Sequence, residues 1–158
     1  MMEIRPATDS DSPHFEEAFF ADRLARQNSG RGWLLTGWHD AELIGHLYIR
    51  VEPPEQPAVR IALPAVPFIQ GINVAPPHQG NGHAKTLVTA AERLLHTHGH
   101  TKVGIAVPVE HVDAARLFTR LGYREQPHSP ISLLTDIWLP TGRRSRPETC
   151  FVLIKPLR

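Results

Sequence analysis

The sequence predicts a mixed α/β fold, with a mostly antiparallel central sheet of six to seven strands and helices on both faces. Three observations lead there. Short apolar runs with strand character, such as KVGIAV and CFVLIKPL, are separated by two stretches with clear helical periodicity. GWLLTGWHDAELIGHLYIRVE reads as a hairpin near the N-terminus. The order is strand, helix, several strands, helix, strand, helix, then strands, which is that of a mixed sheet rather than a bundle or an all-β sandwich.

Each element has its own justification. MEIRPAT is a short strand, and Asp11-Ser12-Pro13 offers a helix N-cap with a proline in the first turn. Phe15, Ala18, Phe19, Leu24 and Ala25 supply an apolar face that ends near Asn28-Ser29-Gly30. The two hairpin strands flank His39-Asp40-Ala41-Glu42, and Pro53-Pro54 closes the second. Residues 52–67 are a proline-rich loop, with a short strand weighed around residues 59–63. PFIQGINV is the next strand and stops at Pro76-Pro77. In the best helix of the chain Leu87, Val88, Ala91, Leu94 and Leu95 share one face, and Gly99 stops it. After KVGIAV, a helix from about Asp113 to Leu121 aligns Ala114, Leu117, Phe118 and Leu121 and ends at Gly122. Tyr123 opens a strand and CFVLIKPL is the last one, while residues 126–148 read as a long, poorly patterned connection.

Composition bounds the function. A chain of 158 residues is expected to form one domain, residues 1–158, around one core. Its 41% apolar and 21% charged content is globular, not disordered. With 17 basic against 16 acidic side chains the net charge is +1, so no general attraction to nucleic acid or membrane is expected. The first twelve residues are too charged for a secretory signal, and no window approaches a membrane span. A single cysteine, Cys150, excludes an internal disulfide and fits a reducing, cytoplasmic setting.

HQGNGHAKTL, residues 78–87, carries the chemistry. As a nucleoside-triphosphate loop it needs glycine where Gln79 and Ala84 stand, and as a dinucleotide fingerprint it needs glycine at Lys85. Both fail. A third pattern, Q-x-x-G-x-A over Gln79, Gly80, Asn81, Gly82, His83 and Ala84, lies between a strand and the strongest helix. Small residues there let several backbone N–H groups converge on one anion, and the helix dipole adds to the attraction. A plain glycine-rich turn is the competing account of the loop by itself.

INVAPPHQGNGHAKTLV resembles the strand, proline and [RQ]-x-x-G-x-[GA] loop of the GNAT superfamily of acyl-CoA-dependent N-acetyltransferases. Downstream, HVDAARLFTRLGYRE is similar to the family's second signature, N-x-x-A-x-x-L-Y-x-x-x-G-[FY], matching at Ala114, Leu117, Gly122 and Tyr123. The resemblance implies acetyl-CoA as donor and an amine as acceptor, with direct attack in a ternary complex. It implies that Ile72, Asn73 and Val74 pair with the pantetheine arm. The six loop residues would hold the pyrophosphate with Lys85 close by, Phe118 would lie at the cofactor, and a Val74 backbone N–H would meet the oxyanion. It implies no metal; a homodimer is compatible with it.

Two departures bear on catalysis. The family's thiolate-protonating tyrosine is replaced by Phe118, and its asparagine by His111. No Asp or Glu occurs in residues 61–74, where relatives carry a carboxylate base. A thiol with pKa of about 8.5 leaves tolerably as thiolate, and a positioned acid is worth roughly 10²–10⁴ in rate. Glu110 and His111, past the KVGIAV strand, are the replacement candidates. A non-catalytic acyl-CoA-binding or sensing domain is the alternative. Glu16, Glu17 and Asp22 on the first helix could attract a cationic acceptor. His96, His98 and His100 have metal-like spacing, but Gly99 interrupts the helix that would align them.

Overall fold

The computed structural model describes residues 2–54, 60 and 65–158. The strands are β1 (Glu3–Pro6), β2 (Gly32–His39), β3 (Glu42–Arg50), β4 (Phe68–Val74), β5 (Lys102–Pro108), β6 (Arg124–Glu125), β7 (Ile131–Leu139) and β8 (Gly142–Pro156). The α-helices are α1 (Glu17–Asn28), α2 (His83–Thr97) and α3 (Val112–Arg120). The strand weighed around residues 59–63 falls, residue 60 apart, outside the described residues.

The described strands form one sheet in the order β1-β2-β3-β4-β5-β8-β6, with β7 on β8. Every pairing is antiparallel except β4 with β5. The count of eight strands exceeds the expected six to seven because residues 126–148 are not an irregular connection. They contain β7 and the first half of β8, paired from Ile131↔Cys150 to Leu139↔Gly142. Before Cys150, β8 pairs with β7 and not with β5, since the β5 ladder covers Cys150–Pro156 and ends at Pro108↔Cys150. The β8 half, GRRSRPET, is mostly exposed, so pairing with β7 and not apolar alternation makes it a strand.

Both faces of the sheet carry helices. Leu34 and Leu35 are neighbours on β2 and point to opposite sides. Leu34 joins Ala7, Phe20 and Tyr48 under α1, whereas Leu35 joins the larger core of Leu47, Ile69, Leu87, Leu95, Val103 and Phe118 under α2 and α3. Leu87 and Leu95 are fully buried, worth about 1.5–3 kcal/mol each. Behind them Tyr123 Oη donates to Glu92 Oε2 at 2.7 Å, and Lys155 Nζ donates to Glu92 Oε1 at 3.0 Å. That group ties α2 to the end of α3 and to β8. Burial and the Glu92 carboxylate push the Tyr123 phenol well up.

The first helix begins later than its sequence suggests. Asp9–His14, with Pro13 inside, is a 3-10 turn. α1 then starts at Glu17, capped by the Glu16 carboxylate, which accepts from the N–H groups of Ala18 (3.1 Å) and Phe19 (2.8 Å). Its buried positions are Phe20, Arg23 and Arg26, and Ala25 is exposed. The arginines are tolerated because they belong to an alternating chain of ion pairs. Arg31 and Arg26 share Glu52; Arg26 and Arg23 share Asp22, both at 2.8 Å; Arg23 and Arg143 share Asp136 at 3.5 and 3.9 Å. This chain is what fastens the β7–β8 arm to α1.

Asp11 is spent on a different task. Its carboxylate takes both Arg5 Nη atoms (2.8 and 2.9 Å) and the Thr8 N–H (2.8 Å), at 4% exposure. The Arg5 hydrogen bonds hold its carboxyl below the usual range. Because the folded pKa is depressed, the unfolded chain binds the proton more readily. The stabilisation is complete above the ordinary carboxylate value of about 3.9 and is lost as pH falls through the folded value. Asp11→Asn is expected to cost about 1–2 kcal/mol at pH 7, allowing for the partial exposure of Arg5. Denaturant unfolding from pH 7 to 2 should show the gap to wild type closing below about pH 4.

Candidate functional site

β4 and β5 run parallel but share only two registered pairs, Phe68↔Gly104 and Ile69↔Ile105. β4 then continues to Val74 along β3, while β5 continues to Pro108 along β8. The sheet is therefore split open toward the C-terminal ends of two parallel strands, where open α/β sheets place their ligands. Gly71 (φ 63°) marks the irregularity that lets β4 diverge: four residues on β4, from Gln70 to Asn73, lie opposite three on β3, from Tyr48 to His46.

Backbone direction can be followed along this edge. Ala75 N–H donates to Ile44 O at 2.8 Å. Alternation along the strand turns the backbone polar groups of Val74 and Ile72 away from β3, to the open side, and those of Asn73 toward β3. Gln79 Nε2 meets the Val74 carbonyl at 2.9 Å. Of the three β4 residues named from the sequence, two thus present backbone to the cleft, and Asn73 is committed to the ladder opposite His46.

The loop continues from this edge. Gly80 (φ 82°) and Gly82 (φ 78°) adopt left-handed conformations, and a Cβ at either would meet nothing within 4 Å. Gly82 is the N-cap of α2 and offers no side chain to the first N–H groups of the helix, and no acidic residue lies in the first turn. Those N–H groups lack intrahelical partners by construction. An open, left-handed, carboxylate-free helix start is suited to a bound anion. Asn81 Nδ2 donates back to His78 O at 3.3 Å and Thr86 Oγ1 to Gly82 O at 3.1 Å, so side chains fix the loop from both ends. Lys85 is exposed beside it. His83, His78 and His39 form a triangle of rings with centroids 5.8–6.3 Å apart, a grouping that sequence distance concealed. His78 Nε2 also pairs with Glu42 Oε2 at 3.0 Å.

Across the split, Glu110 and His111 are exposed at the end of β5, with His111 the N-cap of α3. Phe118 does not face the split as an open surface; it is 5% exposed in the core, its ring set edge-on to Tyr123 at 5.6 Å. Two of the three acidic groups named on and before α1 are engaged elsewhere, Glu16 capping the helix and Asp22 binding two arginines, while Glu17 is exposed in its first turn. His98 Nδ1 lies 2.9 Å from Leu94 O and its ring packs on Trp33. Among the described residues no group of three or more His, Cys, Asp or Glu side chains is arranged to hold a metal ion.

On the α1 face, a cavity of about 860 Å³ runs from Asn73 and His46 past Ile44 and His14 to the β2–β3 turn. His46 is the member that the sequence did not single out. Its ring packs against Phe15 (5.1 Å) and Phe19 (5.7 Å). Nδ1 is closed to solvent without a hydrogen-bond partner. Burial lowers its pKa to about 4.

Residues 1–123 match the family described as Acetyltransferase (GNAT) family. No curated protein matches the sequence. Among solved structures, the PaiA N-acetyltransferase of Thermoplasma acidophilum in complex with coenzyme A superposes with a TM-score of 0.68 at 13% identity, covering 99% of each chain. A GNAT family acetyltransferase from Elizabethkingia anophelis with acetyl-CoA bound gives 0.65 at 17% identity, over 99% of this chain and 98% of that one. The ribosomal-protein-S18-alanine N-acetyltransferase of Escherichia coli gives 0.68 at 16% identity, over 99% and 94%. At such identities these likenesses establish the shared fold. No described helix is long and apolar enough to cross a membrane.

Proposed function

The chain belongs to the acetyltransferase (GNAT) family, and on that premise we propose that it transfers an acetyl group from acetyl-CoA to a primary amine by direct attack in a ternary complex. The observation that carries this reading is the junction of two features. The β4–β5 split opens at Ile69 and Ile105, and the anion-ready start of α2 follows at the end of the same β4 strand. An extended thioester arm and a pyrophosphate need those two surfaces side by side.

In this reading the backbones of Ile72 and Val74 line the acyl arm, with Asn73 between them. The main chain of Gln79, Gly80, Asn81, Gly82, His83 and Ala84 holds the pyrophosphate, and Lys85 adds positive charge. The outward N–H of Val74 is the oxyanion donor, worth about 2.7–4 kcal/mol in comparable sites. Phe118 supports the strand-and-helix wall from within the core. The acceptor must attack as a free amine, and a lysine-like amine with pKa of about 10.4 is almost wholly protonated at neutral pH. Glu110 and His111, exposed at the mouth of the split, are candidate groups for moving that proton.

The neighbours with coenzyme A or acetyl-CoA bound support the donor assignment. The S18-alanine enzyme acts on a protein, by its name, so both small-molecule and protein amines belong in the acceptor panel. A second reading, a non-catalytic acyl-CoA sensor, draws on one observation: Phe118 is a buried hydrocarbon where a proton donor would be needed. Calorimetry with acetyl-CoA followed by thiol release over the panel separates the two. Binding with turnover on at least one amine is expected. Binding without turnover on any would favour the sensor, and absence of binding would end both.

A further inference from the structure

We propose that His46 is a catalytic residue of this reaction: its Nε2, open to the cavity beside Asn73, accepts the proton that the attacking amine gives up. The inference rests on the acetyltransferase reading above and supplies the base that residues 61–74 lack.

Placement comes first. His46 and Asn73 are direct partners across β3 and β4, so their side chains leave the same face of the sheet as neighbours. Val74, whose N–H faces the split, is the next residue. The cavity that His46 lines touches Asn73 and Ala75 at the end of β4, so an acceptor lying in it approaches the split strand from the α1 side. Glu110 and His111 sit on the other strand, at the end of β5, and do not line this cavity.

The state of the ring comes second. Nδ1 is shut off from solvent, and the imidazole is wedged against Phe15 and Phe19. Among the described residues no hydrogen bond occupies Nε2, and His46 lines the cavity. A neutral ring that carries its proton at Nδ1, where aromatic faces are weak acceptors for N–H, leaves the Nε2 lone pair toward the substrate. Burial alone sets the ionisation of His46. The other titratable groups lining the cavity are His14, His39, Asp40 and Glu42, the last paired with His78. Among the described residues, the rings packed on it are the uncharged Phe15, just before α1, and Phe19, on α1. The imidazole is therefore uncharged from pH 5 to 8.

Such a weak base cannot strip an alkylammonium ion. It acts after the amine has arrived neutral, its first proton lost to water in the open cavity. As the N–C bond forms, the nitrogen becomes cationic and far more acidic, and that proton passes to Nε2. The C–S bond breaks with its electron pair staying on sulfur. The thiolate, from a thiol of pKa about 8.5, takes its proton from solvent, and His46 returns its own to water. Net, amine and thioester become amide and thiol. The kcat/KM profile should then rise with the ionisation of the acceptor amine and show no step from His46 between pH 5 and 8.

The test uses His46→Phe, which keeps an apolar ring between Phe15 and Phe19, and His46→Ala, which leaves room for a free base. Both are expected to lower kcat by about 10²–10⁴ while calorimetric affinity for acetyl-CoA stays within about threefold of wild type. Added imidazole should restore His46→Ala in proportion to its free-base concentration, a response that lost packing does not give. Either variant retaining kcat within about threefold overturns the proposal. So does loss of acetyl-CoA affinity in both variants without imidazole rescue, which assigns His46 to packing. A wild-type protein that binds acetyl-CoA but acetylates nothing in the panel removes the parent reading, a result told apart by the wild-type assay alone.

Discussion

Gly82→Glu is expected to weaken acetyl-CoA binding by at least about a hundredfold, roughly 2.7 kcal/mol, while moving the unfolding transition little. Two effects on stability oppose each other. A side chain at φ 78° costs about 1–2 kcal/mol, and a carboxylate at a helix N-terminus returns about 0.3–1 kcal/mol. No atom lies within 4 Å of the new Cβ, so nothing must move to admit it. Binding has no such compensation. The carboxylate takes the free N–H groups at the start of α2 for itself and presents negative charge to an incoming pyrophosphate. Gly82→Ala separates the causes, since it carries the backbone strain without the charge and should lose less than about tenfold. Calorimetric titration of the three proteins reads the result, and a Glu variant that binds within about threefold of wild type would remove the loop from the donor site.

Gly45→Val should have the largest effect on folding. A Cβ there would stand 2.6 Å from the Asn73 carbonyl oxygen and 3.1 Å from Leu87 Cδ1. The first contact is with backbone and cannot rotate away. Overpacking alone costs about 1–3 kcal/mol, and here β3 must also part from β4 where the ladder is already irregular. A loss of about 2–4 kcal/mol is expected, lowering the melting temperature by about 5–15 °C. The fraction that still folds should turn over slowly, because Asn73 and Val74 have shifted. A thermal melt within about 2 °C of wild type would show that the strands yield more easily than this contact implies.

How far the sequence anticipates the structure depends on where each feature's signal is written. α2 is legible because Leu87, Val88, Ala91 and Leu95 repeat at the helical period and are the residues that end up buried. The loop is legible because Gly80 and Gly82 stand where left-handed backbone is required. The β7–β8 arm was not, since long-range pairing makes GRRSRPET a strand and its own side chains do not. The buried arginines of α1 defeat an apolar-face reading for a related reason: their burial is permitted by Asp22, Glu52 and Asp136, two of which are far away in sequence. His46 carries no motif at all. It is a polar residue inside the apolar run LIGHL of β3, and only register places it beside Asn73. Phe118 shows the opposite case, a departure visible in a signature whose meaning, a ring locked into the core, required the packing.

The chain of ion pairs from Arg31 to Arg143 also governs how this region can change over generations. Each of its three carboxylates serves two guanidinium groups, and Asp136 takes one from α1 and one from the hairpin arm. Removing Asp22 takes a shared partner from Arg23 and Arg26 together, and removing Asp136 does the same for Arg23 and the hairpin arm. Single substitutions are therefore penalised twice, whereas a carboxylate and an arginine lost together leave a shorter chain that still alternates. Drift in α1 and in the arm is thereby coupled through Asp136, the carboxylate that holds one arginine from each segment.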